Sequence, residues 1–134
     1  MAKTKTKRVS KPKMPTLAEL NIVMRDRNAE DYKFVSTSLS GYIFANYKDI
    51  VKLFGKPNSD GDGYKVDARW EFEMNGKIMT IYNYKDGKNY MGSRGLPVSK
   101  IKEWHIGSSG QSKDIMEEVK TLSQVLSATR FQMF

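Results

Sequence analysis

Residues 65–84 read KVDARWEFEMNGKIMTIYNY. From residue 65 to residue 74, charged side chains occupy every odd position and apolar side chains every even one. This period of two residues predicts a β-strand with one buried face and one wetter face. Asn75-Gly76 then favours a two-residue type I′ turn, so the following residues are expected to return as the antiparallel partner strand.

The turn also predicts which side chains lie opposite each other across the hairpin. Directly opposed side chains on one face are the pairs that stabilise two antiparallel strands. On the core face we expect the pairs Phe72–Met79 and Trp70–Ile81, and on the reverse face Arg69–Tyr82, Glu71–Thr80 and Asp67–Tyr84.

Two helices are predicted to accompany the hairpin. Apolar residues recur at helical spacing over residues 47–54, with Asn46 as a suitable N-cap and Gly55 as a stop. A second apolar stripe predicts a helix over residues 113–130, capped by Ser112.

Shorter patterns complete the reading of the chain. Thr16 and Glu19 have the spacing of a capping box, which predicts a short helix that ends near Arg25. Extended segments are expected at residues 32–37, 41–45 and 101–106, and residues 85–100 read as a long loop. The predicted fold is therefore α+β: a small antiparallel sheet, made of hairpin 65–84 plus strand 101–106, packed by helices 47–54 and 113–130.

Charge is unevenly distributed along the 134 residues. The total is +8, and residues 1–15 hold six cations and no acid, which leaves +2 for residues 16–134. We expect a flexible basic tail at residues 1–15 and a single domain at residues 16–134. The alternative is a solubilising or targeting tail. The tail residues predicted to contact nucleic acid or another polyanion are Lys3, Lys5, Lys7, Arg8, Lys11 and Lys13.

Catalytic and metal sites are not predicted. The chain has no cysteine, which excludes disulfides and thiolate metal sites, and a single histidine, His105, expected on the wetter face of a strand. Residues 58–63 imitate the start of a calcium loop, but Arg69 stands where its closing glutamate belongs. We expect no enzyme, no cofactor and no membrane span, and a location in the cytoplasm of a host cell or in a virion.

A ligand face is expected on the reverse side of the sheet. Aromatic rings that stack on a base, beside cations that meet a phosphate, are the components of a nucleotide or single-strand site. The alternative is that these tyrosines pack against another element and the cations are solvated. The candidate residues are Arg69, Tyr82, Tyr84, Lys85, Lys88, Arg94 and His105.

The C-terminus carries three large apolar side chains, Phe131, Met133 and Phe134. The interpretation that we prefer is that this end folds back on the core. The alternative is a short hydrophobic peptide that docks in the groove of a protein partner.

Three motifs resemble those of a family of small proteins encoded by bacteriophages and large DNA viruses. They are Trp70-x-Phe72, Thr80-Ile81-Tyr82-x-Tyr84-Lys85 and Trp104-His105-Ile106-Gly107, within residues 41–107. The resemblance implies a viral setting and brings no catalytic residues with it. With the basic tail, it leads us to expect a non-enzymatic viral accessory protein that binds nucleic acid or an acidic surface and docks a protein partner. Two alternatives stay open, a nucleotide-binding protein that sequesters an immune signal and a cement protein of the virion.

Overall fold

A six-stranded antiparallel sheet forms the centre of the structure, a computed structural model that describes residues 14–134. The strands are β1 (Ile22–Met24), β2 (Ser38–Phe44), β3 (Arg69–Met74), β4 (Lys77–Tyr82), β5 (Glu103–Ser108) and β6 (Arg130–Met133). They lie in the spatial order β1-β3-β4-β5-β2-β6, so the sheet is larger than the three strands predicted.

The predicted hairpin is formed by β3 and β4 in the predicted register from Arg69–Tyr82 to Met74–Lys77. Asn75 and Gly76 have φ angles of 53° and 77°, as a type I′ turn requires. The strands are shorter than residues 65–84, because the Asn83 side chain accepts the Asp67 and Ala68 N–H groups at 2.7 and 2.9 Å. The expected Asp67–Tyr84 pair therefore does not form.

Helix α1 (Tyr47–Phe54) has the predicted bounds and packs on the inner face of the sheet. The Phe54 and Phe72 ring centroids lie 4.7 Å apart. At the two ends of the helix, Trp70 Nε1 donates to the Gly55 carbonyl at 2.9 Å and Trp104 Nε1 donates to the Ala45 carbonyl at 3.0 Å. Both indole N–H groups, buried within the core, are thus satisfied while they fix α1 to the sheet.

The helix predicted over residues 113–130 is wrong at both ends. A 3₁₀ turn (Ser112–Ile115), whose N-cap is Gln111 rather than Ser112, precedes α3 (Met116–Val125). Ser127 then adopts a φ of 52°, the chain reverses, and β6 pairs with β2. Phe131 and Met133 thus pack against the core from a strand rather than from a helix, whereas Phe134 is 58% exposed.

The N-terminal helix prediction is also wrong, although its capping box forms. The Thr16 N–H donates to Glu19 Oε1 at 2.8 Å and the Glu19 N–H donates to Thr16 Oγ1 at 3.2 Å. Asn21, with a φ of 57°, ends this single turn, and β1 follows it.

The remaining segments differ less from expectation. The extended residues 41–45 lie largely within β2, whereas residues 32–37 form no strand, and β5 begins two residues later than predicted. The loop over residues 85–100 contains a four-residue helix, α2 (Lys88–Met91), and 3₁₀ turns at Gly92–Arg94 and Val98–Lys100.

The two faces of the sheet have different surroundings. The inner face packs against α1 and α3, and Trp70, Phe72, Ile81, Trp104 and Ile106 are its fully buried centre. Residues 25–37, here called the crossing segment, lie on part of the opposite, outer face and leave the rest uncovered. Within residues 14–134, no helix is both long and apolar enough to cross a membrane.

Candidate functional site

A row of side chains crosses the outer face on five neighbouring strands. Arg69 in β3 pairs with Tyr82, Tyr82 with His105, His105 with Tyr42, and Tyr42 with Gln132. Directly paired residues of antiparallel strands project to the same side of the sheet. The antiparallel order therefore aligns a cation, three rings and an amide on one surface.

The rings of this row are in mutual contact. The His105 ring centroid lies 4.8 Å from that of Tyr42 and 5.4 Å from that of Tyr82, both in edge geometry. Tyr84, just beyond β4, stacks on His105 at 5.3 Å with an interplanar angle of 29°. Phe134 extends the contact, 5.1 Å from Tyr42. We call these five residues the aromatic row.

Two residues of the aromatic row have shifted pKa values, His105 and Tyr82. Burial lowers the pKa of His105, and the nearby carboxylates of Glu103 and Asp86 oppose that shift without reversing it. Burial likewise raises the pKa of the Tyr82 hydroxyl. Burial therefore favours the neutral form of His105, whose ring packs between Tyr42 and Tyr82 on a strand, as predicted.

Next to this row, a buried carboxylate is surrounded by arginines. The Glu71 side chain is only 1% exposed and forms ion pairs with Arg25, Arg27 and Arg69. The Arg27 Nε and Arg69 Nη1 atoms lie 3.3 and 3.5 Å from Glu71 Oε1, and the Tyr32 hydroxyl donates to Glu71 Oε2 at 2.8 Å. Three of these partners come from the crossing segment, which Glu71 therefore holds against the sheet.

The charge around Glu71 is not balanced. Burial raises the pKa of the Glu71 carboxyl, but hydrogen bonds from Tyr32 and Arg27 and the charges of Arg69 and Arg25 outweigh burial and bring the pKa below its ordinary value. One carboxylate therefore faces three guanidinium groups, which leaves a net charge of +2 in this cluster. The Arg27 side chain is 41% exposed, so part of this charge reaches the surface.

A groove of about 340 Å³ lies where the crossing segment, the sheet and the loop before β3 meet. Phe34, which is 71% exposed, forms part of its rim. The groove thus joins the charge cluster to the aromatic row. Its lining residues are Arg27, Phe34, Thr37, Gly61, Asp62, Val66, Arg69, Tyr82 and Tyr84.

A cation continues the site beyond Tyr84. Lys85 Nζ lies 5.4 Å from the centroid of the Tyr84 ring and 5.3 Å from that of Tyr90. The Tyr90 ring contacts Tyr64 at 5.2 Å. Ammonium groups at these distances from aromatic faces are attracted by the ring quadrupole. Tyr64, Lys85 and Tyr90 form an exposed extension of the aromatic row.

The other predicted site residues have different outcomes. Lys88 and Arg94 are exposed in the 85–100 loop and do not line the groove. Phe131 and Met133 are half-buried in β6. The six predicted cations of the tail, Lys3 to Lys13, lie outside the described residues.

Several residues of the site were missed from the sequence. Tyr42 joins the row because β2 lies between β5 and β6, an order that the sequence pattern does not indicate. Arg25 was predicted to lie at the end of a helix, and Arg27 was not assigned to the ligand face. In the sequence these two arginines flank a single carboxylate, and Tyr32 follows them. This pattern is too unspecific to predict a contact with Glu71.

No protein-family model matches this chain, and no curated protein or solved structure matches it. The viral setting implied by the motifs therefore stays a prediction. Within residues 14–134, no group of three or more His, Asp or Glu side chains is arranged to hold a metal ion.

Proposed function

We propose that this protein is a non-enzymatic binding protein for single-stranded nucleic acid, which it holds on the outer face of its sheet. The observation that carries the proposal is the aromatic row, which lies beside a cluster with a net charge of +2. Bases stack on exposed aromatic faces, and arginines contact the phosphates between them. A duplex hides its base faces, so it is a poorer ligand for such a surface.

The basic tail adds to this proposal in a different way. Its six cations are proposed to contact phosphates without sequence preference, which raises affinity for any polyanion and makes binding sensitive to salt. The outer face supplies the selectivity for unpaired bases. A viral setting and a protein partner remain expectations attached to this function.

Tyr84 provides the test, because it is exposed and its replacement should leave the core intact. We expect Tyr84→Ala to weaken binding of a labelled single-stranded oligonucleotide roughly tenfold, since one stacked base is worth about 1–3 kcal/mol. Tyr84→Phe keeps the ring and should bind almost as tightly as the unchanged protein. Fluorescence anisotropy with single strands and with the matching duplex measures both effects.

Two results would contradict the proposal. One is equal affinity for the single strand and the duplex, which would indicate electrostatic binding by the tail alone. The other is an unchanged affinity in Tyr84→Ala. As a control, Lys120→Gln changes an exposed residue of α3 and should not affect binding.

A free nucleotide is the second candidate ligand, and the groove supports it. Its volume of about 340 Å³ lies at the lower end of the roughly 300–1,000 Å³ of pockets that bind small ligands. Calorimetry with mononucleotides and cyclic nucleotides separates the two functions. Sequestration of a nucleotide requires micromolar or tighter binding of the free compound, whereas strand binding requires affinity that grows with oligonucleotide length.

A further inference from the structure

The groove beside Arg69 has three chemically different walls. These walls are defined by the chemistry of the lining residues: Arg27 and Arg69 carry guanidinium groups, Asp62 carries a carboxylate, and Phe34 and Tyr84 carry rings. A ligand that satisfies all three must carry an anion, a hydroxyl or amine donor, and a flat ring.

The guanidinium wall fits a phosphate. Arg27 directs its Nε toward Glu71, and no other hydrogen bond of Arg27 occurs among residues 14–134, so its terminal amino groups are able to bind an anion. Arg69 is held in place by Ser59 Oγ, 3.1 Å from its Nη1. A planar guanidinium group can donate two parallel hydrogen bonds to the oxygens of one phosphate. The net positive charge around Glu71 also favours an anion here.

The Asp62 carboxylate fits a hydroxyl donor. Its Oδ1 accepts the N–H groups of Tyr64 at 2.9 Å and Lys65 at 2.8 Å, which leaves Oδ2 able to accept another hydrogen bond. The hydrogen bond from the Tyr64 N–H is the main reason that the Asp62 pKa lies below its usual range. An ionised carboxylate only accepts hydrogen bonds and repels phosphate, so a ligand that lacks a donor gains nothing from it.

The aromatic wall fits a base. Tyr84 stacks on His105, and Phe34, which lines the same groove, is largely exposed. A base, a sugar with a free hydroxyl and a phosphate are the three parts of a ribonucleotide. We infer that the groove receives one ribonucleotide of the bound strand, so that the outer face prefers RNA to DNA; this inference rests on the proposed function.

The 2′-hydroxyl is the group on which this preference depends. It is both a donor and an acceptor, and it is what allows a protein to distinguish RNA from DNA at a given position. A deoxyribonucleotide in the same groove offers Asp62 no hydroxyl donor. Because Asp62 is exposed and water can solvate it, the preference arises from the contact that RNA gains.

The test compares three strands of one sequence, as RNA, as DNA and as 2′-O-methyl RNA, which lacks the hydroxyl proton. Affinities for the full chain are measured by fluorescence anisotropy at about 0.3 M salt, where contacts by the basic tail are weakened. We expect RNA to bind roughly tenfold more tightly than the other two, the effect of one hydrogen bond to a charged group. Asp62→Asn keeps the Oδ1 acceptor of the turn and should abolish the preference.

Asp60→Asn is the matched control, because Asp60 is exposed in the same loop but does not line the groove. It should leave the RNA preference unchanged. Equal binding of RNA and DNA, or a preference that survives in Asp62→Asn, overturns the inference while strand binding itself stands. Failure of every strand to bind overturns the proposed function, so the two outcomes are distinguishable.

Discussion

Glu71 shows how one side chain connects the stability of this protein to its site. It occupies a position of the strand that alternation assigned to the wetter face, yet it is fully buried because the crossing segment covers it. Its carboxylate holds Arg25 and Arg27 against the outer face, and Asn58 fixes the adjoining backbone by accepting the Glu71 N–H at 2.8 Å. The groove therefore depends on a residue that does not line it.

Replacement of Glu71 should be costly. In Glu71→Gln, three guanidinium groups lose their common counter-charge, and removal of one partner of a buried ion pair typically costs about 3–5 kcal/mol. Because Arg27 is partly exposed, we expect a value at the lower end of this range. Glu71→Gln should lower the free energy of unfolding at pH 7 by about 3 kcal/mol. Urea denaturation followed by tryptophan fluorescence measures it. Glu73→Gln, two residues along the same strand, should cost much less.

The unfolding free energies of the unchanged protein and of Glu71→Gln should also depend differently on pH. The folded pKa of Glu71 is lowered, so its stabilising contribution is complete above the unfolded value of about 4.3 and is lost as the pH falls through the folded value. The difference in unfolding free energy between unchanged protein and Glu71→Gln should therefore shrink below about pH 4.3. A difference that stays constant down to pH 2 would show that charge is not the cause.

The hairpin turn between β3 and β4 depends on backbone conformation alone. Gly76 has a φ of +77°, and a Cβ built on it meets no atom within 4 Å. We expect Gly76→Ala to lower the free energy of unfolding by about 1 kcal/mol, the cost of a left-handed conformation in an L-residue. Thermal or urea unfolding measures it. Gly63→Ala has the same surroundings in a loop and should cost the same; a neutral Gly76→Ala would indicate a different turn.

The elements that the sequence predicted correctly are those whose signals are local. The register of β3 and β4 follows from alternation and a two-residue turn, and α1 follows from its stripe and Gly55. The stripe of α3 was extended too far, because the end of that helix depends on Ser127 at positive φ and on an open edge of β2. The position and pairing of β6 therefore depend on tertiary contacts, which the helical spacing of apolar residues does not predict.

The residues of the candidate site likewise fall into two groups, those that local sequence signals place correctly and those that long-range contacts bring together. The hairpin register predicted Arg69, Tyr82 and Tyr84 on the ligand face. It aligns Arg69 with Tyr82, whereas Tyr84 lies just beyond β4 and stacks on His105. Tyr42 and Arg27 enter through strand order and through the crossing segment, which bring together residues that are distant in the chain. Long-range contacts of this kind leave no periodic trace in a single sequence.

The division of charge between tail and domain predicts two separable parts of binding. Replacement of all six cations of residues 1–15 by Gln should reduce the salt dependence of strand binding, because each phosphate contact on a single strand contributes about 0.7 to the slope of log K against log salt. The full loss is therefore about 4 in slope. The RNA preference should persist, since it arises at the groove. Anisotropy titrations between about 50 and 300 mM salt measure both quantities.

A control for this variant must lower the charge without changing either binding region. Lysines on the side of the sheet that carries the helices are suitable for this control. The helices pack on the inner face, whereas the groove opens on the outer face. Their replacement should leave the slope nearly unchanged. An equal loss of slope would mean that net charge steers the strand, and that the tail has no contact of its own. The control replaces Lys48, Lys52 and Lys120 by Gln.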